Sequence, residues 1–132
     1  MSYEEFAELV ARLWDEIPDE FKRELQGVHV LPQLKPDPSG LPGVLRLGEY
    51  TDPGPPSVFA GGINLGRHIA LYYGSFAAVA NSDPGFDWEA QAWETLLHEL
   101  RHHVESLAWR DDLIQEDLRQ LERLRRRSKG RT

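Results

Sequence analysis

The sequence predicts a single α+β domain over residues 1–132. In this domain, a small mixed or antiparallel sheet is expected to pack against an N-terminal helix and against a second, longer helix near the C-terminus. Apolar residues recur every three or four positions near the N-terminus and between about 88 and 108, which is the helical period. Short runs with the alternation expected of strands lie between these two stretches, with Pro- and Gly-rich segments separating them. A chain of 132 residues can bury one core, so one domain is expected.

The first element is predicted as an amphipathic helix over residues 2–17. Ser2 and Glu5 have the spacing of a capping box, and Pro18 interrupts the pattern. Its apolar face is predicted to consist of Phe6, Leu9, Val10, Leu13, Trp14 and Ile17.

Three short strands are predicted next, at residues 28–31, 44–50 and 67–73. The last of them has the clearest alternation, so we take it as the best strand candidate. Residues 32–42 hold four prolines and are predicted as a loop, as are residues 51–62.

Two helices complete the chain. Asp87 is a suitable N-cap for a long helix over about 88–108, and Asp111 or Asp112 can cap a last helix reaching about residue 127. Residues 111–132 are thus interpreted as a C-terminal helix with a basic tail. The residues predicted to face inward are Ile114, Leu118, Leu121 and Leu124 or Leu113.

Composition excludes several functions. The chain has no cysteine, which excludes disulfides, thiolate metal ligands and a thiol nucleophile. The net charge of −7 and the lack of a long apolar run argue against nucleic-acid or membrane partners. The acidic start Met1-Ser2-Tyr3-Glu4-Glu5 does not resemble a signal peptide, so a cytoplasmic protein is expected.

The C-terminal arginines allow a different hypothesis, in which the protein is a nucleic-acid accessory factor. Cations at the end of a helix are favoured by its dipole, however, so a solvated helix end is the better interpretation. The basic residues are Arg123, Arg125, Arg126, Arg127, Lys129 and Arg131.

Residues 98–102, His-Glu-Leu-Arg-His, have the H-E-x-x-H pattern. Residues four apart lie on one face of a helix, so His98 and His102 can bind one tetrahedral metal ion. Glu99 is offset by about 100° from His98, beside the metal and placed to act as general base.

The helical wheel decides between a metal site and two structural core histidines. With His98 at zero, His98 and His102 lie on the side opposite a buried apolar stripe. A pair of core histidines therefore fits poorly, and a solvated polar face remains the ordinary alternative. The predicted stripe consists of Trp93, Leu96, Leu97, Leu100, Val104 and Leu107.

The motif and its surroundings resemble the zincin metallopeptidases, and more narrowly the small bacterial family of minimal zincin-like proteins. The resemblance rests on HELRHH after Thr95-Leu96-Leu97, and on Ile17-Pro18, Val28-His29-Val30, Leu47-Gly48-Glu49-Tyr50 and Ile69-Ala70-Leu71-Tyr72. It implies an α+β fold in which His98 and His102 bind zinc and Glu99 is the catalytic base.

The chain departs from the family at the third ligand. The family pattern continues x-x-G-x-x-D after the second histidine, whereas Glu105 and Ala108 occupy those positions here. Asp111 or Asp112 would take the aspartate's role after an insertion of about one helical turn. Glu105 is a poorer candidate as ligand, although it can orient His102 through a hydrogen bond.

The leading hypothesis is a zinc-dependent peptidase acting on a peptide or protein substrate. The alternative is a non-catalytic metal-binding or protein-interaction module with the same fold. We expect the substrate to extend along the strand at 67–73, taken as the sheet edge. Tyr72 or Tyr73 is considered as an intermediate-stabilising group, His68 as a residue that can face the cleft, and His103 as a rim residue.

Overall fold

The computed structural model describes residues 1–52, 66–108 and 114–128. The helices are α1 (Tyr3–Glu16), α2 (Tyr73–Ser82), α3 (Trp88–Ala108) and α4 (Ile114–Ser128), with a short 3-10 helix at Asp19–Lys22. The strands are β1 (Leu25–Leu31), β2 (Lys35–Pro36), β3 (Leu45–Arg46), β4 (Gly48–Thr51) and β5 (Arg67–Tyr72). The predicted α+β class is confirmed.

The main sheet has three strands in the order β1-β5-β4. Strand β5 pairs in parallel with β1 and antiparallel with β4, so the sheet is mixed. Strands β2 and β3 form a separate two-stranded antiparallel ribbon. Within the described part of the chain, β4 therefore lies at one edge of the sheet and β1 at the other.

The expectation that residues 67–73 form the sheet edge is wrong. Strand β5 is the central strand, and five of its six residues are buried. A strand that is covered on both faces and paired on both sides takes a nearly continuous apolar run, here Ile69-Ala70-Leu71-Tyr72. Among the described strands, the edge strand near the motif helix is β4.

Helix α1 forms as its sequence predicts. The Ser2 hydroxyl accepts a hydrogen bond from the Glu5 amide at 3.1 Å, and the Ser2 amide donates to the Glu5 carboxylate at 2.8 Å. This capping box satisfies amide groups that the first helical turn leaves without partners. The Tyr3 hydroxyl donates to the Val30 carbonyl at 2.6 Å, which ties the start of α1 to β1.

The core lies where α1 and α3 pack on the sheet. The apolar face of α1, the inward side of β5 and the apolar stripe of α3 meet there, and α4 covers part of α3. The buried cluster includes Phe6, Leu9, Val10, Leu13, Ile17, Ile69, Leu71, Phe76, Trp93, Leu96, Leu97, Leu100, Val104, Leu121 and Leu124.

Three elements differ from the sequence-based expectation. Strand β2 forms within residues 32–42, which were predicted as a loop, because a short edge strand tolerates Pro36. The strand predicted at 44–50 is divided between β3 and β4, which belong to different sheets. Helix α2 was not predicted, because the apolar residues of its sequence YGSFAAVANS form a continuous run over 76–80 and do not define one apolar face. Residues 53–62 of the loop predicted at 51–62 lie outside the described residues. No helix in the described ranges combines the length and apolarity needed to cross a bilayer.

Gly48 permits the close approach of β4 to α3. A Cβ atom there would lie 2.7 Å from the Thr95 Cγ2 atom, 2.9 Å from the Leu71 Cδ2 atom and 3.2 Å from the Ala70 carbonyl oxygen. We expect Gly48→Ala to lower the free energy of unfolding by about 1–3 kcal/mol, because overpacking forces the strand or its neighbours to shift. Urea denaturation measures this loss.

Gly85→Ala is the matched control for that substitution. Its Cβ would make only an ordinary contact of 3.5 Å with Asp83 Oδ1. We expect its stability to stay within about 0.5 kcal/mol of the unmodified chain. Equal stability of the two variants would contradict the steric argument.

Candidate metal centre

Helix α3 separates a buried face from a face that carries the motif. The predicted apolar stripe is confirmed, because all six of its residues are buried. His98 and His102 are exposed on the other side of the helix, whereas Glu99 is only 7 % exposed. Burial of the stripe therefore turns both imidazoles outward. The six stripe residues are Trp93, Leu96, Leu97, Leu100, Val104 and Leu107.

The three polar side chains of the motif converge. One ligand atom from each of His98, Glu99 and His102 lies within 4.8 Å of the other two. The imidazole rings are 4.7 Å apart at their centroids, and Glu99 Oε1 lies 3.3 Å from His102 Nδ1. This is the only such group of three among the described residues.

This donor set fits a borderline metal ion such as zinc. Two imidazoles are typical zinc ligands, and donors on a tetrahedral ion with bonds of about 2 Å are about 3.4 Å apart. The distance of 3.3 Å between Glu99 Oε1 and His102 Nδ1 already matches that value, and all three ligand atoms lie within 4.8 Å of one another. A carboxylate beside the histidines supplies either a ligand or a base.

A polar cleft of about 550 Å³ opens in front of the motif. One wall is the outward face of α3 from Gln91 to His102, and the opposite wall is formed by β3, β4 and Asp37. Arg125 reaches the cleft from α4, where its Nε atom lies 3.1 Å from Glu94 Oε2. The cleft brings together residues from four separate parts of the chain.

A charged cluster supports the strand wall of the cleft. Glu49 Oε1 accepts hydrogen bonds from Lys35 Nζ at 3.1 Å and from the Tyr72 hydroxyl at 2.9 Å, and Arg46 Nη1 lies 3.4 Å away. Burial raises the pKa of Glu49, but these donors outweigh it and the pKa lies below its usual value. Glu49 is therefore ionised and already partnered at neutral pH.

The expectation that His103 lies at the rim is wrong. The side chain is fully buried, and its Nε2 atom lies 2.7 Å from the Arg23 carbonyl oxygen. Since a carbonyl can only accept, Nε2 carries the proton and Nδ1 accepts from the Tyr50 hydroxyl at 2.9 Å. Burial lowers the pKa of His103, more than the bond to Arg23 raises it. The neutral ring thus links α3, β4 and the segment before β1.

The tyrosines considered from the sequence do not line this cleft. The Tyr72 hydroxyl bonds to Glu49, and the Tyr73 hydroxyl donates to the Met1 carbonyl at 2.6 Å. His68 does not line it either; its ring lies 5.5 Å from that of His29 on the neighbouring strand. Tyr50 is the tyrosine that borders the cleft.

The candidate third ligands are placed differently. Glu105 is not part of the three-residue group, and its Oε1 atom accepts a hydrogen bond from Arg101 Nε at 2.8 Å on the exposed side of α3. Asp111 and Asp112 lie outside the described residues, so their assignment stays a prediction from the sequence.

A mixed sheet whose edge strand runs beside an H-E-x-x-H helix defines a protein of the zincin class. The sequence profile of the zincin-like metallopeptidases matches residues 25–124, and the chain belongs to that family. A solved structure of a conserved hypothetical protein from Thermus thermophilus is 70% identical, with a TM-score of 0.74. The alignment covers 83% of this chain and 100% of that one. None of the curated proteins compared with the chain matches it.

The sequence did not reveal the strand wall of the cleft. Glu49 and Tyr50 reach the cleft through the pairing of β4 with β5, and Arg46 through the β2–β3 ribbon. Arg125 reaches it through packing of α4 on α3. These contacts join residues far apart in the chain. Only the family resemblance, which includes Leu47-Gly48-Glu49-Tyr50, pointed to this segment.

Proposed function

We propose that the protein is a zinc-dependent peptidase with His98 and His102 as metal ligands and Glu99 as general base. The observation that carries the proposal is the convergence of these three side chains within 4.8 Å at a cleft bordered by an edge strand. Membership of the zincin-like family supports the same reaction class.

The placement of Glu99 suits proton transfer. Zinc held at this site would act as a Lewis acid toward water and the peptide carbonyl. Glu99 is largely buried and lies next to both histidines, so its carboxylate is positioned to accept a proton from water and return it to the leaving amine. His98 and His102 face solvent, which leaves room for a substrate.

Strand β4 supports an extended peptide as the substrate. The Leu47 carbonyl accepts a hydrogen bond from the Tyr72 amide at 2.9 Å, and Glu49 pairs with Ala70. In an antiparallel pair the bonding direction alternates, so the backbone groups of Gly48 and Tyr50 point away from β5. A peptide can add there as a further strand beside the metal ligands.

A non-catalytic binding module is the alternative. The residue at the family's glycine position is Glu105, and its carboxylate is engaged by Arg101. A site that holds metal through two histidines without a well-placed third ligand would bind peptide or metal but turn over no substrate. Metal content and turnover distinguish the two functions.

The first prediction concerns metal binding. We expect the purified protein to bind about one zinc ion per chain, and His98→Ala and His102→Ala to abolish stoichiometric binding, because each removes a ligand. Elemental analysis and calorimetric titration measure this. His29→Ala, which changes an exposed histidine outside the cleft, should keep full binding. Equal zinc in all variants would overturn the site.

The second prediction concerns the general base. Glu99→Gln keeps the shape of the side chain but removes its proton acceptor, so turnover should fall by about 10²–10⁴-fold with zinc retained. Cleavage of a quenched-fluorescent peptide library measures the rate. Glu89→Gln, on the first turn of the same helix, is the control and should be as active as the unmodified chain. Undiminished cleavage by Glu99→Gln would contradict the assignment.

The third prediction concerns the remaining ligand. We expect either Asp111→Asn or Asp112→Asn to weaken zinc binding by about a hundredfold or more, since even outer-shell changes cost about 10–100-fold. Glu105→Gln should bind zinc as the unmodified chain does, because its carboxylate is paired with Arg101 on the exposed side. Calorimetry with competing chelators gives the affinities. A loss confined to Glu105→Gln would reverse the assignment.

A further inference from the structure

The hydrogen bond between Tyr50 and His103 lies next to the metal-binding motif but involves none of the three motif side chains. His103 follows the second motif histidine directly, yet it lies on the buried side of α3 and its ring is 0 % exposed. Both ring nitrogens have partners from other parts of the chain: the Tyr50 hydroxyl at 2.9 Å and the Arg23 carbonyl oxygen at 2.7 Å.

This bond is one of the contacts that hold the edge strand against the motif helix. Another is the approach of Gly48 to Thr95, where there is no room for a Cβ atom. Thr95 and His103 are about 12 Å apart along the helix axis at 1.5 Å per residue. His98 and His102 lie between them, so these two contacts bracket the metal ligands.

The direction of the hydrogen bond limits what Tyr50 can do. Because His103 Nε2 donates to a carbonyl, its Nδ1 atom accepts, and the single proton of the Tyr50 hydroxyl is directed to His103. Tyr50 borders the cleft but does not have that proton to give to a substrate oxygen. The Tyr50 hydroxyl therefore serves as a hydrogen-bond donor to another residue of the protein, His103.

We propose that Tyr50 and His103 are positioning residues, whose hydrogen bond sets the distance and register between the substrate-binding edge of β4 and the metal ligands on α3. The inference rests on the proposed peptidase function. The position of β4 relative to the metal ligands affects the reaction only if a peptide bound along β4 presents its carbonyl group to the metal. The ring contact, with centroids 5.4 Å apart, adds packing to the bond.

The key variant is Tyr50→Phe, which removes the hydroxyl and keeps the ring. We expect amide hydrogen exchange in β4 of the metal-free protein to become about tenfold faster, since the strand loses an attachment to α3. Exchange followed by mass spectrometry on the peptide covering residues 45–52 measures this. Tyr3→Phe removes a comparable bond, 2.6 Å to the Val30 carbonyl, and should leave β4 exchange unchanged.

Two hydroxamates separate positioning from a general structural role. Acetohydroxamate contacts only the metal region, whereas the hydroxamate of a blocked trialanine peptide also reaches β4. For the zinc-loaded Tyr50→Phe protein, we expect the peptide hydroxamate to bind about tenfold more weakly and acetohydroxamate to bind within about twofold of the unmodified chain.

Substitutions of His103 test the same bond from the other side. His103→Gln keeps an acceptor for Tyr50 and a donor for the Arg23 carbonyl, so peptide hydroxamate affinity should stay within about threefold. His103→Leu removes both bonds, so the loss of peptide hydroxamate affinity and the acceleration of β4 exchange should be at least as large as for Tyr50→Phe.

The possible outcomes are distinct. Unchanged β4 exchange in Tyr50→Phe overturns the proposal, and so does an equal loss of affinity for both hydroxamates. If the unmodified protein binds neither hydroxamate in the presence of zinc, the peptidase function has failed. The exchange experiment on metal-free protein then still decides whether the Tyr50–His103 bond holds the strand.

Discussion

Burial of one side of α3 is the constraint on which the rest of the structure depends. Trp93, Leu96, Leu97 and Leu100 are at most 1 % exposed and occupy the centre of the core. Fully burying a large apolar side chain contributes about 1.5–3 kcal/mol, so rotating this helix would be very costly. Because the apolar side of α3 is buried, His98 and His102 lie on the opposite side of the helix and line the cleft.

The strand wall of the cleft depends on a smaller and more polar set of contacts. Strand β4 is joined to β5 by its ladder, to α3 by the Gly48 approach, and to α3 again through Tyr50 and His103. A buried imidazole costs free energy unless both nitrogens are hydrogen-bonded, and here both are. The motif histidines thus lie on a helix opposite a strand that is attached at defined points.

The elements that the sequence predicts well are those with strong local signals. The capping box of Ser2 and Glu5 and the apolar period after it locate α1, and Asp87 with the stripe that follows locates α3. Helix α2 has no comparable period and was missed. The alternation at 44–50 correctly indicates extended chain, but nothing local shows that β3 and β4 belong to different sheets.

The sequence by itself determined which polar groups the motif helix presents together. The spacing of His98, Glu99 and His102 places three polar groups together on any helix, because residues one and four apart have fixed positions on a helical turn. Only the tertiary structure decided what faces that helix. The central place of β5, the edge position of β4 and the burial of His103 arise from contacts between residues up to 80 positions apart. Such contacts depend on how whole elements pack, and no local pattern in the chain records them.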